Sequence, residues 1–270
     1  MITHHRLGFI GGGKLASSVM RGLLHAGFCA PDQIISGEPN ADARASLHQE
    51  LGIVVTDTNS DVAQTAELIL VGVKPQVVLP VLRDLGSALA GKLVISFAAG
   101  VRIPSMEAVT PARIMRVMTN TPSAIARAAT AFAAGTRTSG ADREQVHAIF
   151  AAIGEIVEVT DEQIDSVTAL AGSGPAFVYT MIKALAVGAE RTGLSKDAAL
   201  QLAAQTTLGA AELTLTSGKS PEELIRMVVT PGGTTAAGLA EMEKRSTSDA
   251  ISAAVEAATA RGREMVRENL

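Results

Sequence analysis

A doubly wound α/β sheet followed by an all-α region is the fold class this sequence predicts. Three observations carry it. Short apolar runs alternate with helical stretches from Leu7 to about Val159. A glycine turn joins the first of these runs to the first helix. After Thr160 the strand-like alternation stops, and Ala, Leu, Glu and Met dominate to the end.

The first run, Leu7-Gly8-Phe9-Ile10, reads as a strand. Gly11-Gly12-Gly13 follows, then a helix carrying Leu15, Val19 and Leu23 at helical spacing. Gly11, Gly13 and Ala16 fit the G-x-G-x-x-A turn that holds a dinucleotide. Gly11 permits the tight bend, Gly13 lets backbone approach a pyrophosphate, and Ala16 keeps helix close to strand. Lys14 and Leu15 open the helix, whose free N–H groups face the anion. The competing reading is a glycine turn that binds nothing. Further strands are expected at 34–36, 53–55, 68–72, 93–97 and 114–118, with two more at 129–134 and 154–159. Apolar runs of this length separated by helices predict a buried parallel sheet covered on both faces. Val146, Ile149, Phe150 and Ile153 fall at helical spacing between the last two.

Asp161 is expected to cap a long helix that Gly172-Ser173-Gly174-Pro175 kinks or breaks and Gly193 ends. Helices are then expected near 196–217, 221–228, 234–244 and 247–268. The organisation predicted is a Rossmann-like dinucleotide-binding domain over 1–160 and a helical domain over 161–270. Ala169 to Ala189 is apolar apart from Ser173, Thr180 and Lys183. Its length raises a membrane span, but Lys183, Pro175 and the glycines argue against one. A helix apolar on nearly all sides is otherwise buried, and about 110 residues of helix give too small a core to bury it. A homodimer through this half is therefore expected, with no membrane partner.

Composition narrows the function. A net charge of −4, no Trp, one Tyr and six Phe disfavour nucleic acid. The single cysteine, Cys29, excludes an internal disulfide and a Cys-rich zinc site, and no metal site is expected. Glycines and Lys14 interrupt any apolar signal core in residues 1–25, so a cytoplasmic location is expected.

Dinucleotides lie across the carboxyl ends of the strands. Glu38, after the second strand, either accepts from a ribose hydroxyl, which favours NADH over NADPH, or is a solvated loop carboxylate. Lys74, before the helix opened by Pro75, either pairs with the cofactor or is a surface lysine. Ala98-Ala99-Gly100 is small enough for a ring to approach, and Asn59 stands on the adenine side. The helical half has no His or Cys, all five His lie at or before His147, and its only Tyr is Tyr179. Reducing a ketone creates an alkoxide and needs a placed acid. A protonated cyclic imine is already electrophilic and needs little beyond positioning. Thr230-Pro231-Gly232-Gly233-Thr234-Thr235 suits that: the helix start would hold a carboxylate, and a hydroxyl would meet the nitrogen. The plainer reading is a loop with Thr as an N-cap.

These blocks together resemble pyrroline-5-carboxylate reductase. The resemblance runs from Leu7 to about Arg267 and is most specific over Leu224 to Glu243. Ala171-Gly172-Ser173-Gly174-Pro175-Ala176-Phe177, Val73-Lys74-Pro75-Gln76 and Arg116-Val117-Met118 match further family blocks. It implies NADPH- or NADH-dependent reduction of 1-pyrroline-5-carboxylate to L-proline, with a helical domain interlocked in a dimer and often a ring of dimers, up to a decamer. By position, Asn59, Gly72, Lys74 and Ala98 would line the cofactor, with Pro75 and Asn120 beside them. Gly232, Gly233, Thr234 and Thr235 would line the substrate, with the Thr235 hydroxyl at the imine nitrogen as the catalytic contact. Three departures stand out. Thr119 replaces the first proline of Met-Pro-Asn-Thr-Pro, glycines expected near Ala126 to Ala129 are missing, and Lys14 replaces Asn. The first two touch the nicotinamide-side loop and allow slower turnover or a changed imine preference. A related cyclic-imine reductase, a β-hydroxyacid dehydrogenase-like oxidoreductase and a dinucleotide sensor are the alternatives. A β-hydroxyacid dehydrogenase would need a catalytic lysine followed by Asn, whereas Lys183 precedes Ala184.

Overall fold

The computed structural model describes residues 7–268, so residues 1–6 of the N-terminal reading and 269–270 of the helical range lie outside the described residues. Eight strands form one sheet: β1 (Leu7–Ile10), β2 (Ile34–Gly37), β3 (Val54–Thr56), β4 (Leu68–Val71), β5 (Leu93–Ser96), β6 (Arg113–Met118), β7 (Ala128–Ala134) and β8 (Gly154–Glu158). Their order is β3-β2-β1-β4-β5-β6-β7-β8. Connections run outward in both directions from β1, so the crevice between β1 and β4 is the topological switch point. Strand alternation sorts the core into two layers. Leu68, Leu70, Leu93 and Ile95 face one layer with Val19 and Leu23, while Ile69, Val71 and Val94 face the other with Val78 and Leu82. The sheet is not wholly parallel, because β6 and β7 pair antiparallel. Only a turn at Thr121–Ile125 separates them, too short for the crossover a parallel partner requires.

Between the strands lie α1 (Lys14–His25), α2 (Ala41–Leu51), α3 (Asn59–Thr65), α4 (Pro75–Leu85), α5 (Ile103–Glu107) and α6 (Gly140–Ala151). The chain changes character at Thr160, yet the first compact unit runs on to Ser173 and takes back the described residues from Ala257. Asp161 does not cap the next helix. Its carboxylate accepts from Arg116 Nη1 at 3.0 Å and from the Ile103 N–H at 3.2 Å, so the helix, α7 (Ile164–Val167), starts later and is short. A π-helical turn, Thr168–Gly172, follows, with the Ser173 N–H donating to the Thr168 carbonyl at 2.9 Å.

Segment 161–172 lies along β6 through alternate residues of that strand and the residues just after it. Arg116, fully buried, bonds Asp161 and, at 3.3 Å, Asp165. Met118 Sδ lies 3.3 Å from where a Cβ on Gly172 would stand, and Asn120 Nδ2 donates to the Ala171 carbonyl at 3.2 Å. Arg102 Nη2 closes the ionic cluster on Asp165 at 2.6 Å.

The second unit, Gly174–Glu256, holds α8 (Gly174–Arg191), α9 (Lys196–Thr216), α10 (Pro221–Val228), α11 (Thr234–Lys244) and the first part of α12 (Thr247–Glu268). Its own core is small: Ala186, Ala199 and Ala203, with Ile182 and Ala189 against them. Leu185, Leu200, Leu202, Leu208 and Leu213 remain 50–56% exposed. Ile164–Arg191 is long and apolar enough to cross a membrane by length and composition.

Candidate active site

Helix starts divide into two kinds. Asn40, Thr58, Ser139, Ser195 and Ser220 cap α2, α3, α6, α9 and α10 with side-chain oxygens. By contrast, α1 and α11 begin on Gly13 and Gly233 with no side-chain cap, and α4, α5 and α7 likewise begin uncapped on Lys74, Arg102 and Gln163. A start left open keeps its first N–H groups for a ligand, and the helix dipole favours an anion there.

The α1 start lies at the switch point. Gly11 has φ +93°, which only glycine adopts without strain, and its N–H donates to the Gly37 carbonyl at 2.9 Å. Gly72, after β4, has no room for a side chain: a Cβ would come within 2.9 Å of Ala16 Cβ. Ala16 therefore packs against the end of β4, and this close crossing brings Gly13 and Gly72 to one crevice. Lys14 and Lys74 are exposed at the starts of α1 and α4, while Leu15 is half-buried. Pro75 opens α4, where its missing N–H costs nothing.

Glu38 is not a free loop carboxylate. It accepts from the Gly12 N–H at 3.2 Å and from the Asn40 N–H at 3.0 Å, which fixes it beside the glycine turn. Arg44, unmarked in the sequence reading, donates to the Glu38 and Pro39 carbonyls. Asn59 opens α3 against Gly37, with Oδ1 2.9 Å from where a Cβ on Gly37 would stand. Ala98 is buried just past β5, its N–H directed at Ser96 Oγ. Both polar ends of the Asn120 side chain are engaged: Oδ1 accepts from the Ala129 N–H, and Nδ2 donates to Ala171. Gly11, Gly13, Lys14, Leu15, Glu38, Asn59, Gly72, Lys74, Pro75, Ala98 and Asn120 all follow or flank carboxyl ends of β1 to β6. Burial raises the Cys29 thiol to about 11, so it stays protonated at neutral pH and is a poor nucleophile.

The α11 start belongs to the second unit. Gly232 has φ +70°, and the Gly233 N–H donates to the Thr230 carbonyl at 3.0 Å, closing the Pro-Gly-Gly turn. A Cβ on Gly233 would strike Thr230 Oγ1. The first intrahelical bond runs from Ala237 to Gly233. The N–H groups of Thr234, Thr235 and Ala236 therefore precede the helical ladder, and neither threonine serves as the N-cap. Thr234 is exposed and Thr235 half-buried.

The clearest signal missed in the sequence was Arg116. A charge inside Ile-Met-Arg-Val-Met demands a buried partner, but Asp161 and Asp165 lie 45 and 49 residues away.

The sequence model described as pyrroline-5-carboxylate reductase dimerisation matches residues 161–265. That described as NADP oxidoreductase coenzyme F420-dependent matches residues 6–100. Pyrroline-5-carboxylate reductase of Pisum sativum is 39% identical over 97% of this chain and 96% of its own. That of a Synechocystis species is 40% identical over 96% and 98%. Among solved structures, Plasmodium falciparum pyrroline carboxylate reductase with NADP bound has a TM-score of 0.90 at 28% identity, covering 98% of this chain and 100% of that one. The Coxiella burnetii pyrroline-5-carboxylate reductase has a TM-score of 0.87 at 32% identity, covering 97% and 98%.

Proposed function

Since the chain belongs to the pyrroline-5-carboxylate reductase family, we propose that it reduces 1-pyrroline-5-carboxylate to L-proline with NADPH or NADH. This is the last step of proline biosynthesis. The observation that carries the reading is the open start of α11, whose first N–H groups have no side-chain cap and suit an anion. The cofactor, when bound, supplies the hydride. Residues 1–160 bind it, and residues 161–270 bind substrate and form the dimer. The N–H groups of Lys14 and Leu15 take the pyrophosphate, with Gly11, Gly13 and Gly72 allowing close approach. Glu38 and Asn59 serve the adenosine ribose side, while Lys74 offers a cation at the phosphates. Ala98, Pro75 and Asn120 border the carboxyl edge.

On the substrate side, Gly232 and Gly233 shape the turn. The N–H groups of Thr234 and Thr235 hold the carboxylate. The Thr235 hydroxyl donates to the neutral imine nitrogen and accepts once that nitrogen is protonated. No side chain has to surrender a proton to an alkoxide, which fits a helical half without His or Cys. The deciding assay is oxidation of NADH and NADPH with 1-pyrroline-5-carboxylate and, separately, its 2-carboxylate isomer. Turnover of the first supports the assignment, turnover of the second alone makes it a related imine reductase, and turnover of neither overturns it.

Glu38→Ala is expected to move the NADH/NADPH ratio towards NADPH. The carboxylate repels a 2′-phosphate, and Arg44 nearby would attract it. An unaltered ratio would remove Glu38 from the ribose.

A second copy is the occupant proposed for the apolar helices. Ile164–Gly172 is docked on the sheet and carries buried Asp165, which leaves for a span only the 18 residues of α8, with exposed Lys183 in them. A membrane span is disfavoured on that ground. Covering the five half-exposed leucines on each of two copies is worth roughly 8–15 kcal/mol. That is about the freedom lost on association, and Met181, Ile225, Met227 and Val228 supply the surplus. Sedimentation should give a homodimer or a decamer built from dimers at micromolar concentration, and a monomer would contradict the dimer. A sequence whose one cysteine, Cys29, rules out an internal disulfide supports a cytoplasmic location.

A further inference from the structure

Thr119, which replaces a proline of the family motif, has a structural partner. Its Oγ1 lies 2.8 Å from Thr130 Oγ1, and both residues are buried. The register explains the meeting. Met118 faces Ala131 across the antiparallel β6–β7 pair, so the next position sets Thr119 opposite Thr130. Alternation places them on the layer of Val117 and Phe132, which also holds α1 residues Val19 and Leu23. Asn120 points to the other layer, where it bonds Ala129 and Ala171. Consecutive residues thus fasten the chain leaving β6 from both sides. Beyond them Ala126 takes φ +54°, an L-residue in a conformation suited to glycine, and the Ser123 carbonyl lies against α1 at Gly22. Because β6 runs parallel to β5, this chain leaves the sheet at the carboxyl edge, the edge that receives a dinucleotide.

We propose that the Thr119–Thr130 hydrogen bond is a positioning device for the nicotinamide end of the cofactor. It restrains the 119–126 loop from across the strand pair, where a proline ring would restrain it by fixing φ. Neither threonine touches the reacting atoms; both act through the loop. This inference rests on the reductase reading. It locates the determinant of ring placement in this chain in a buried hydroxyl pair.

The test is a series of Thr119→Val, Thr130→Val and the double variant. Each single substitution strands one buried hydroxyl and lowers Tm, whereas the double removes both and keeps the branched shape, so Tm recovers. Catalysis is expected to follow a different course. The kcat for imine reduction falls about 5- to 20-fold in the singles and stays at least about 5-fold low in the double. The NADPH Kd, read by its fluorescence, remains within about twofold, because the pyrophosphate and adenosine contacts are intact. Thr130→Ser keeps the hydroxyl and restores kcat. Wild-type kcat in the double variant overturns the proposal, and so does a loss of kcat that tracks Tm through the series. A wild-type protein that turns over neither imine overturns the reductase reading itself, whereas unaltered kcat in an active enzyme overturns only this inference.

Discussion

Thr235→Ala is expected to lower kcat/KM for the imine by roughly 10- to 1,000-fold, the scale for losing one placed hydrogen-bonding group. That is about 1.4–4 kcal/mol of transition-state stabilisation. Stability should hardly change. The α11 N-cap is Gly233, no side chain caps that helix, and alanine is the better helix former. The carboxylate seat proposed at α11 is main-chain and would survive the substitution. The loss should therefore appear in kcat more than in KM, since the hydroxyl orients the imine carbon for hydride transfer while main-chain groups carry the substrate binding. Thr235→Ser should retain most of the rate. Steady-state kinetics with saturating NADPH checks this, and unchanged constants would remove Thr235 from the mechanism.

Asp165→Ala is expected to destabilise the protein by about 3–5 kcal/mol, the cost of leaving buried charge uncompensated. Asp165 is 1% exposed, and it faces Arg102 at 2.6 Å and Arg116 at 3.3 Å. Arg116 is fully buried and retains a free Nε even in the intact cluster. Two arginines and two aspartates balance, so losing one aspartate leaves a positive charge in the core. Replacing the pair together, as Arg116→Met with Asp165→Leu, should cost less than Asp165→Ala alone, because no charge is then stranded. Denaturant-induced unfolding at fixed protein concentration measures both. A loss below about 1 kcal/mol, the range of exposed pairs, would mean that water already solvates the cluster. The segment at stake, 161–172, sets the π turn and the Ala171 carbonyl that holds Asn120. Its loosening should reach the carboxyl edge as well as the melting curve.

The local order of the fold was written in the chain. Eight apolar runs became eight strands, and the helices after Gly193 fell within a residue or two of their expected limits. Buried strands must be apolar and glycine must supply φ +93° at Gly11, and both constraints act on neighbours in sequence. The open start of α11 was half legible: Pro-Gly-Gly marked the turn, but only the backbone showed that neither threonine caps it.

What distance along the chain conceals, only the tertiary structure decided. Asp161 reads as a helix cap because Asp favours that place, yet two arginines and a backbone N–H claim its carboxylate first. The antiparallel turn of β6 into β7 set Thr119 against Thr130, a pairing fixed by register. Sequence by itself determined which segments are strands or helices and where the glycine turns fall. Pairing between distant charges and hydroxyls came from packing, because burying a polar group is tolerable only where the fold delivers its partner.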